Sequence, residues 1–151
     1  MNLSKNLTLA EVTRSESAKR KGIDNIPTEA HKEALKLIAV KIFQPLREHF
    51  NVPIFISSGY RSEALNKLIG GSSSSQHSKG EALDLDMDGQ DNGVSNKDIF
   101  EYIKECLPFD QLIWEFGTED NPDWVHVSYS ATRQRKQVLK ATRVNGKVKY
   151  F

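Results

Sequence analysis

Apolar side chains recur at helical spacing in the first third of the chain. Over residues 28–50 they follow one another every three or four positions, which is typical of a helix with one buried face. Pro45 lies inside this pattern. Because proline has no backbone N–H and crowds the preceding turn, we expect a kink or a break near Phe43. Shorter helices are predicted at residues 7–19 and 61–69.

Later segments have the alternating pattern of strands. In residues 82–87, Leu83 and Leu85 alternate with Asp84 and Asp86. Because successive side chains of a strand point to opposite faces, this alternation predicts a strand with one apolar and one polar face. Runs of β-branched and aromatic residues predict further strands at residues 52–58, 112–116 and 124–129.

A capped helix and a terminal hairpin complete the predicted elements. Ser95 and Asp98 have capping-box spacing at the start of an apolar periodic segment, so a helix is predicted over residues 95–107. Asn145 and Gly146 form a strong turn dipeptide between valine-containing runs, and they predict a hairpin in the C-terminal tail.

The order of these elements indicates the α+β class. Helices come first and closely spaced strands follow, which favours a small antiparallel sheet with helices packed on it. The chain has 151 residues, of which 38% are hydrophobic and 27% are charged. This balance is that of a folded globular protein, and we expect a single domain over residues 1–151.

The charges give no sign of a polyanionic partner. Lys and Arg number 21 against 20 Asp and Glu, a net charge of +1, so we expect no nucleic-acid binding. The one cysteine, Cys106, excludes an intrachain disulfide, and we expect it to be a buried small hydrophobe. A cluster of basic residues near the C-terminus is expected to form a solvated face: Arg133, Arg135, Lys136 and Lys140.

No part of the sequence has the pattern of a membrane anchor. There is no apolar segment long enough to span a bilayer, and residues 1–21 lack the apolar core of a signal peptide. We therefore expect synthesis in the cytoplasm without membrane insertion.

His77, Asp84 and His126 are the candidate metal ligands. A catalytic zinc takes three protein ligands and keeps one position open, and a chain with one cysteine has to use nitrogen and oxygen donors. A turn at Gly80 could direct His77 and Asp84 towards one point. Alternation along residues 124–129 places His126 on the polar face of its strand.

Hydrolysis at such a metal also needs a base and a fixed positive charge. Asp123 lies three residues before His126, and Glu119 and Asp120 are rival carboxylates on the same loop. Arg61 follows a predicted strand and could act on a polarised carbonyl oxygen or on a substrate carboxylate. Spacing alone leaves a structural interpretation open, because a lone histidine is more often structural than a ligand.

Three ordered motifs resemble those of the M15 peptidases. Residues 75–84, SQHSKGEALD, match every fixed position of the pattern SxHxxGxAxD. Residues 58–62 resemble the upstream SGYRS element, and residues 123–128 resemble the downstream (D/E)xxH(V/I)(S/D) element. The family comprises zinc D-Ala-D-Ala carboxypeptidases, dipeptidases and phage L-alanyl-D-glutamate endopeptidases, and its fold is a small α+β domain.

The resemblance implies a role for each matched residue. One Zn²⁺ ion would be bound by His77, Asp84 and His126 on the polar face of the sheet. Asp123 would be the general base and acid that acts on the metal-bound water. Arg61 would stabilise the oxyanion or orient the substrate.

The loop before His77 departs slightly from the motif. Residues 70–75, GGSSSS, contain more small residues than the pattern requires, so we expect this loop to be mobile. Ser75 would lie near enough to the metal to form a hydrogen bond with the substrate.

The substrate class implied by the resemblance is the stem peptide of bacterial peptidoglycan. We expect a monomeric endopeptidase of the phage or prophage endolysin type, which reaches the cell wall through a permeabilised membrane. The alternatives are a D-Ala-D-Ala carboxypeptidase of the same family and a zinc-containing binding module without turnover.

Overall fold

The computed structural model describes residues 1–72 and 74–151. Its helices are α1 (Leu9–Thr13), α2 (Glu16–Lys21), α3 (Glu29–Ile38), α4 (Gln44–Phe50), α5 (Glu63–Leu68) and α6 (Asn96–Cys106). Its strands are β1 (Asn2–Ser4), β2 (Leu7–Thr8), β3 (Ile56–Ser58), β4 (Ala82–Leu85), β5 (Gln111–Glu115), β6 (Trp124–Ser128), β7 (Gln137–Val144) and β8 (Lys147–Tyr150). Within these described residues, no helix has the length and apolar character needed to cross a membrane.

The helix over residues 29–50 is distorted near Phe43, where a kink or a break was expected, but it is not broken. A π-helical segment, Ala39–Phe43, separates α3 from α4, and the backbone N–H of Gln44 donates to the carbonyl of Ala39, five residues earlier. Pro45 has no N–H to donate to the preceding turn, and the wider π turn lets the helix continue past it. Its buried side chains Leu35, Ile38, Ile42 and Leu46 belong to the hydrophobic core.

The α+β class is confirmed, although the main sheet is mixed. Six strands lie in the order β3-β4-β6-β5-β7-β8, and β1 pairs with β2 in a separate two-stranded antiparallel sheet. Neighbours in the main sheet are antiparallel except β5 and β7, which are parallel. The polypeptide between β6 and β7 therefore crosses over β5, a connection that short-range sequence signals did not indicate.

The two faces of the main sheet differ in chemistry. One face packs in the core together with α3, α4 and α6, and its side chains are Leu83, Leu85, Leu112, Trp114, Val125 and Val127. The opposite face includes Asp84 and His126, which are direct partners in the β4–β6 pairing. The alternation predicted for residues 82–87 thus leaves an acidic side chain on the face away from the core.

The C-terminal hairpin is also confirmed. Strands β7 and β8 are antiparallel, and their pairing runs from Val144 opposite Lys147 to Ala141 opposite Tyr150. Between them Asn145 and Gly146 have φ angles of 52° and 78°, the left-handed backbone that these two residue types tolerate best. The expectation for Cys106 was wrong, because this residue ends α6 and is exposed to solvent.

Candidate metal centre

Three of the predicted side chains converge on one point. Nε2 of His77 lies 3.3 Å from Oδ1 of Asp84, and Nδ1 of His126 lies 3.1 Å from the same oxygen. The donor atoms of all three side chains are within 4.8 Å of one another. In the part of the chain that the structure describes, this is the one group of three such side chains arranged so that it could hold a metal ion.

Two different local structures bring these side chains together. Asp84 and His126 are fixed by the register of β4 and β6. His77 lies in a 3-10 turn, Gln76–Lys79, which ends at Gly80 with φ 74°. A Cβ atom at Gly80 would lie 2.6 Å from the carbonyl oxygen of His31, so the turn requires glycine for both conformation and space.

Hydrogen bonds orient each imidazole ring. Nδ1 of His77 donates to the carbonyl oxygen of Gly59 over 2.8 Å, which leaves Nε2 directed towards Asp84. Nε2 of His126 lies 2.9 Å from Oε1 of Gln76 and donates to it, so Nδ1 is the nitrogen that faces Asp84. Opposite nitrogens of the two rings therefore face the same space, an arrangement in which two histidines can bind one metal ion.

The carboxylate at the centre is held in its charged form. Burial alone would raise the pKa of Asp84, but attraction to His77 and hydrogen bonds with both histidines outweigh it and keep the pKa well below its usual range. Two imidazole nitrogens and one carboxylate oxygen are a donor set that suits Zn²⁺ with an open fourth position. The residues present therefore fit a catalytic zinc ion.

Arg61 borders this group on the β3 side. Its backbone N–H donates to the carbonyl of His77 over 3.2 Å. Burial lowers the pKa of Arg61, and the negative charge of Asp84 partly opposes that change. Its Nε is shielded from solvent and has no hydrogen-bond partner among the described residues. The guanidinium lines a cavity of about 310 Å³ together with Arg14, Ser57, Ser58 and Tyr60.

The predicted base lies at the entrance to β6. Asp123 is exposed, its backbone N–H donates to the carbonyl of Glu115 over 2.9 Å, and it immediately precedes Trp124, the first residue of the strand. Its side chain is outside the three-residue group. Glu119 and Asp120 are exposed on the same loop.

Ser75 caps the turn that positions His77. Its Oγ accepts a hydrogen bond from the backbone N–H of His77 over 3.2 Å. This contact gives Ser75 a structural role beside the substrate role inferred from the resemblance. The expected mobility of residues 70–75 involves Ser73, which lies outside the described residues.

Comparison with known proteins identifies the family. The model of the Peptidase M15 family matches residues 5–128. The chain belongs to the Peptidase M15 family. No curated protein matches it significantly. Membership makes this chain a peptidase, and the matched region contains all three residues of the candidate metal centre.

A second carboxylate of the peptidase, Glu115, was not predicted. Register places Glu115 opposite Trp124 and Ala141, on the same sheet face as Asp84 and His126. It is 8% exposed. The pKa of Glu115 is raised to about 7, mainly by burial. The charge of His126 lowers this pKa, and the negative charge of Asp84 raises it. The only sequence signal was an acidic residue within an otherwise apolar strand.

Asn96 is a second residue that sequence patterns missed. Its side chain is fully buried at the start of α6, where Oδ1 accepts from the backbone N–H of Met87 over 2.6 Å. Nδ2 lies 3.0 Å from Oδ1 of Asp86 and 3.0 Å from the carbonyl oxygen of Asp123. One amide thus connects the end of β4 with the residue before β6, and it fixes the backbone of the candidate base.

Replacing Asn96 with alanine should destabilise the peptidase. The change leaves a buried N–H and buried carbonyl groups without partners, which costs about 2–4 kcal/mol of unfolding free energy. Urea denaturation measures this loss of unfolding free energy. The matched control is Lys97→Ala, whose exposed side chain should change stability by less than about 0.5 kcal/mol. Equal stability of the two variants would contradict the bridging role.

Glu115 should make the stability of the metal-free protein depend on pH. Between its ordinary pKa of 4.5 and its folded value of about 7, folded Glu115 keeps a proton that the unfolded chain has lost. Stability therefore falls as pH rises through this window and is level above it. The Glu115→Gln variant cannot ionise at this position. It should match the wild type near pH 4.5 and exceed it at pH 8 by roughly 2 kcal/mol.

Thermal or urea unfolding at a series of pH values tests this expectation. The quantity to follow is the difference in unfolding free energy between wild type and Glu115→Gln, because the contributions of the other titrating groups cancel in this difference. A difference that does not change between pH 4.5 and pH 8 would show that Glu115 ionises normally in the folded protein.

Proposed function

We propose that this M15 peptidase is a zinc-dependent enzyme that hydrolyses peptide bonds in the stem peptide of bacterial peptidoglycan. The observation that supports it most strongly is the convergence of His77, Asp84 and His126 on one point, with opposite ring nitrogens of the two histidines facing one carboxylate oxygen. These residues would hold one Zn²⁺ ion.

The residues of the chain have distinct roles in this proposal. When bound, Zn²⁺ supplies a Lewis acid that lowers the pKa of water towards neutrality and polarises the scissile carbonyl. Asp123 accepts a proton from the attacking water and passes it to the leaving amine. Arg61 stabilises the negative charge that develops on the carbonyl oxygen, or it binds a carboxylate of the substrate.

The charges around Arg61 support its contact with an anionic group. Within the described residues, no Asp or Glu oxygen lies within 4 Å of the Arg61 or Arg14 guanidinium. A partly buried guanidinium without a directly paired carboxylate is costly, and an anionic substrate group would compensate that cost. The stem peptide contains free carboxylates, so its chemistry matches this cavity.

We further propose an endopeptidase of the endolysin type, acting as a monomer on the cell wall. The main sheet continues beyond the metal centre in both directions, to the Arg61 cavity on the β3 side and to β5, β7 and β8 on the other. Such a face can bind a peptide on both sides of the scissile bond, whereas a carboxypeptidase needs to hold a free C-terminus.

Digestion of purified peptidoglycan tests the activity and its bond specificity together. The peptidase is incubated with the polymer, with and without a chelator, and mass spectrometry identifies the released termini. The proposal predicts chelator-sensitive release of stem peptides with new internal termini. Release of D-alanine alone would identify a carboxypeptidase instead. Absence of cleavage by a protein that contains stoichiometric zinc would indicate a binding module.

Asp123→Ala should separate metal binding from turnover. Because the Asp123 side chain lies outside the three-residue group, the variant should still bind one zinc ion, while kcat falls about 10²–10⁴-fold. Asp120→Ala, on the same exposed loop, is the matched control and should keep near-normal turnover. Metal analysis and peptide-release assays give the two readouts. If Asp123→Ala kept near-normal turnover and Asp120→Ala lost most of it, Asp120 rather than Asp123 would be the general base.

A further inference from the structure

Two exposed arginines form ion pairs with a buried carboxylate close to the candidate metal centre. Asp110 is 1% exposed, and two arginines from the segment between β6 and β7 bind it. Nε of Arg135 donates to its Oδ1 over 2.7 Å, and Nε of Arg133 donates to its Oδ2 over 3.1 Å. Arg133 and Arg135 are exposed, as their sequence pattern predicted, and they also pair with the Asp110 carboxylate.

Gln76 connects these ion pairs to a candidate metal ligand. Its Nε2 lies 3.4 Å from Oδ2 of Asp110, and its Oε1 lies 2.9 Å from Nε2 of His126. An ionised carboxylate only accepts hydrogen bonds, so Asp110 requires the NH₂ end of the Gln76 amide to point towards it. The carbonyl end then has to face His126.

The carbonyl end of Gln76 orients the ring of His126. A carbonyl oxygen accepts hydrogen bonds and cannot donate them, so Nε2 of His126 donates to Oε1 of Gln76. Nδ1, on the other side of the ring, then faces Asp84 over 3.1 Å. Without this contact the ring could rotate and turn Nδ1 away from His77 and Asp84.

We propose that Gln76 is a positioning residue that holds the ring of His126 with Nδ1 facing the metal centre, and that Asp110, Arg133 and Arg135 hold Gln76 in the required orientation. The inference rests on the proposed metal-binding function of the site. Arg133 and Arg135 lie beyond residues 5–128, the region matched by the family model. The chain after the matched region thereby contributes to the affinity of the site for its metal.

Two measurements on the full-length protein test the proposal. The first is Zn²⁺ affinity, determined by competition with a chelating dye, for wild type and Gln76→Leu. Loss of an outer hydrogen-bond partner of a metal-binding histidine typically lowers affinity about 10–100-fold, and the same loss is expected here. The matched control is Lys79→Gln, an exposed change in the same 3-10 turn that should leave affinity unaltered.

The second measurement is the chemical shift of the Nε2 proton of His126 in the zinc-loaded protein. This proton should resonate downfield in the wild type, because it is hydrogen-bonded to Oε1 of Gln76, and move upfield in Gln76→Leu. Asp110→Asn should have an intermediate effect, because an asparagine amide can hydrogen-bond to either end of Gln76. A purely structural role would lower the melting temperature of the metal-free variants without moving this shift.

The outcomes distinguish this inference from the proposed function. Equal Zn²⁺ affinity of wild type and Gln76→Leu, or the same shift of the His126 Nε2 proton in both, would overturn the positioning role even if the protein digests peptidoglycan. Conversely, the predicted shifts and affinities together with no hydrolysis would support the positioning role and refute the peptidase activity on that substrate.

Discussion

The antiparallel register of β4 and β6 is the constraint on which the rest of the site depends. It pairs Asp84 with His126 and leaves Leu83, Leu85, Val125 and Val127 on the opposite, buried face. A slip of one residue would turn the carboxylate and the imidazole into the core and expose four apolar side chains. The same burial that stabilises the sheet therefore also fixes the geometry of the candidate metal centre.

On the polar face of the main sheet, the neighbouring side chains decide whether a buried carboxyl group is ionised. Asp84 remains ionised because two histidines bind its oxygen, whereas Glu115 on the same face lacks such partners and has a pKa raised by burial to about 7. Arg61 is close enough to Asp84 for the two charges to interact. A divalent cation between the histidines and Asp84 would stabilise the ionised carboxylate, so this arrangement could hold a metal ion.

Sequence patterns predicted the parts of the site that depend on local structure. Alternation placed Asp84 on a polar strand face, Pro45 predicted the distortion of the helix between α3 and α4, and Asn145 with Gly146 predicted the hairpin. The M15 motifs then identified the three converging side chains. Their roles as ligands, and those of Asp123, Arg61 and Ser75, stay predictions until they are measured.

The residues that sequence analysis missed act through long-range contacts. Asn96 binds backbone groups 26 and 27 residues away, and Gln76 binds side chains 34 and 50 residues away. No periodicity or turn signal encodes such partners, because they are set by how the strands assemble. The parallel pairing of β7 with β5 was missed for the same reason, and with it the proximity of Arg135 to Asp110.

The most direct test of the account is a calorimetric titration of the metal-free protein with Zn²⁺, compared with the Asp84→Asn variant. The account predicts that the wild type binds one ion per chain. It also predicts that loss of the shared carboxylate weakens binding by more than about 100-fold, beyond the usual effect of removing an outer partner. Binding with the same affinity in both proteins, or no stoichiometric binding by the wild type, would contradict the assignment of this face as a metal centre.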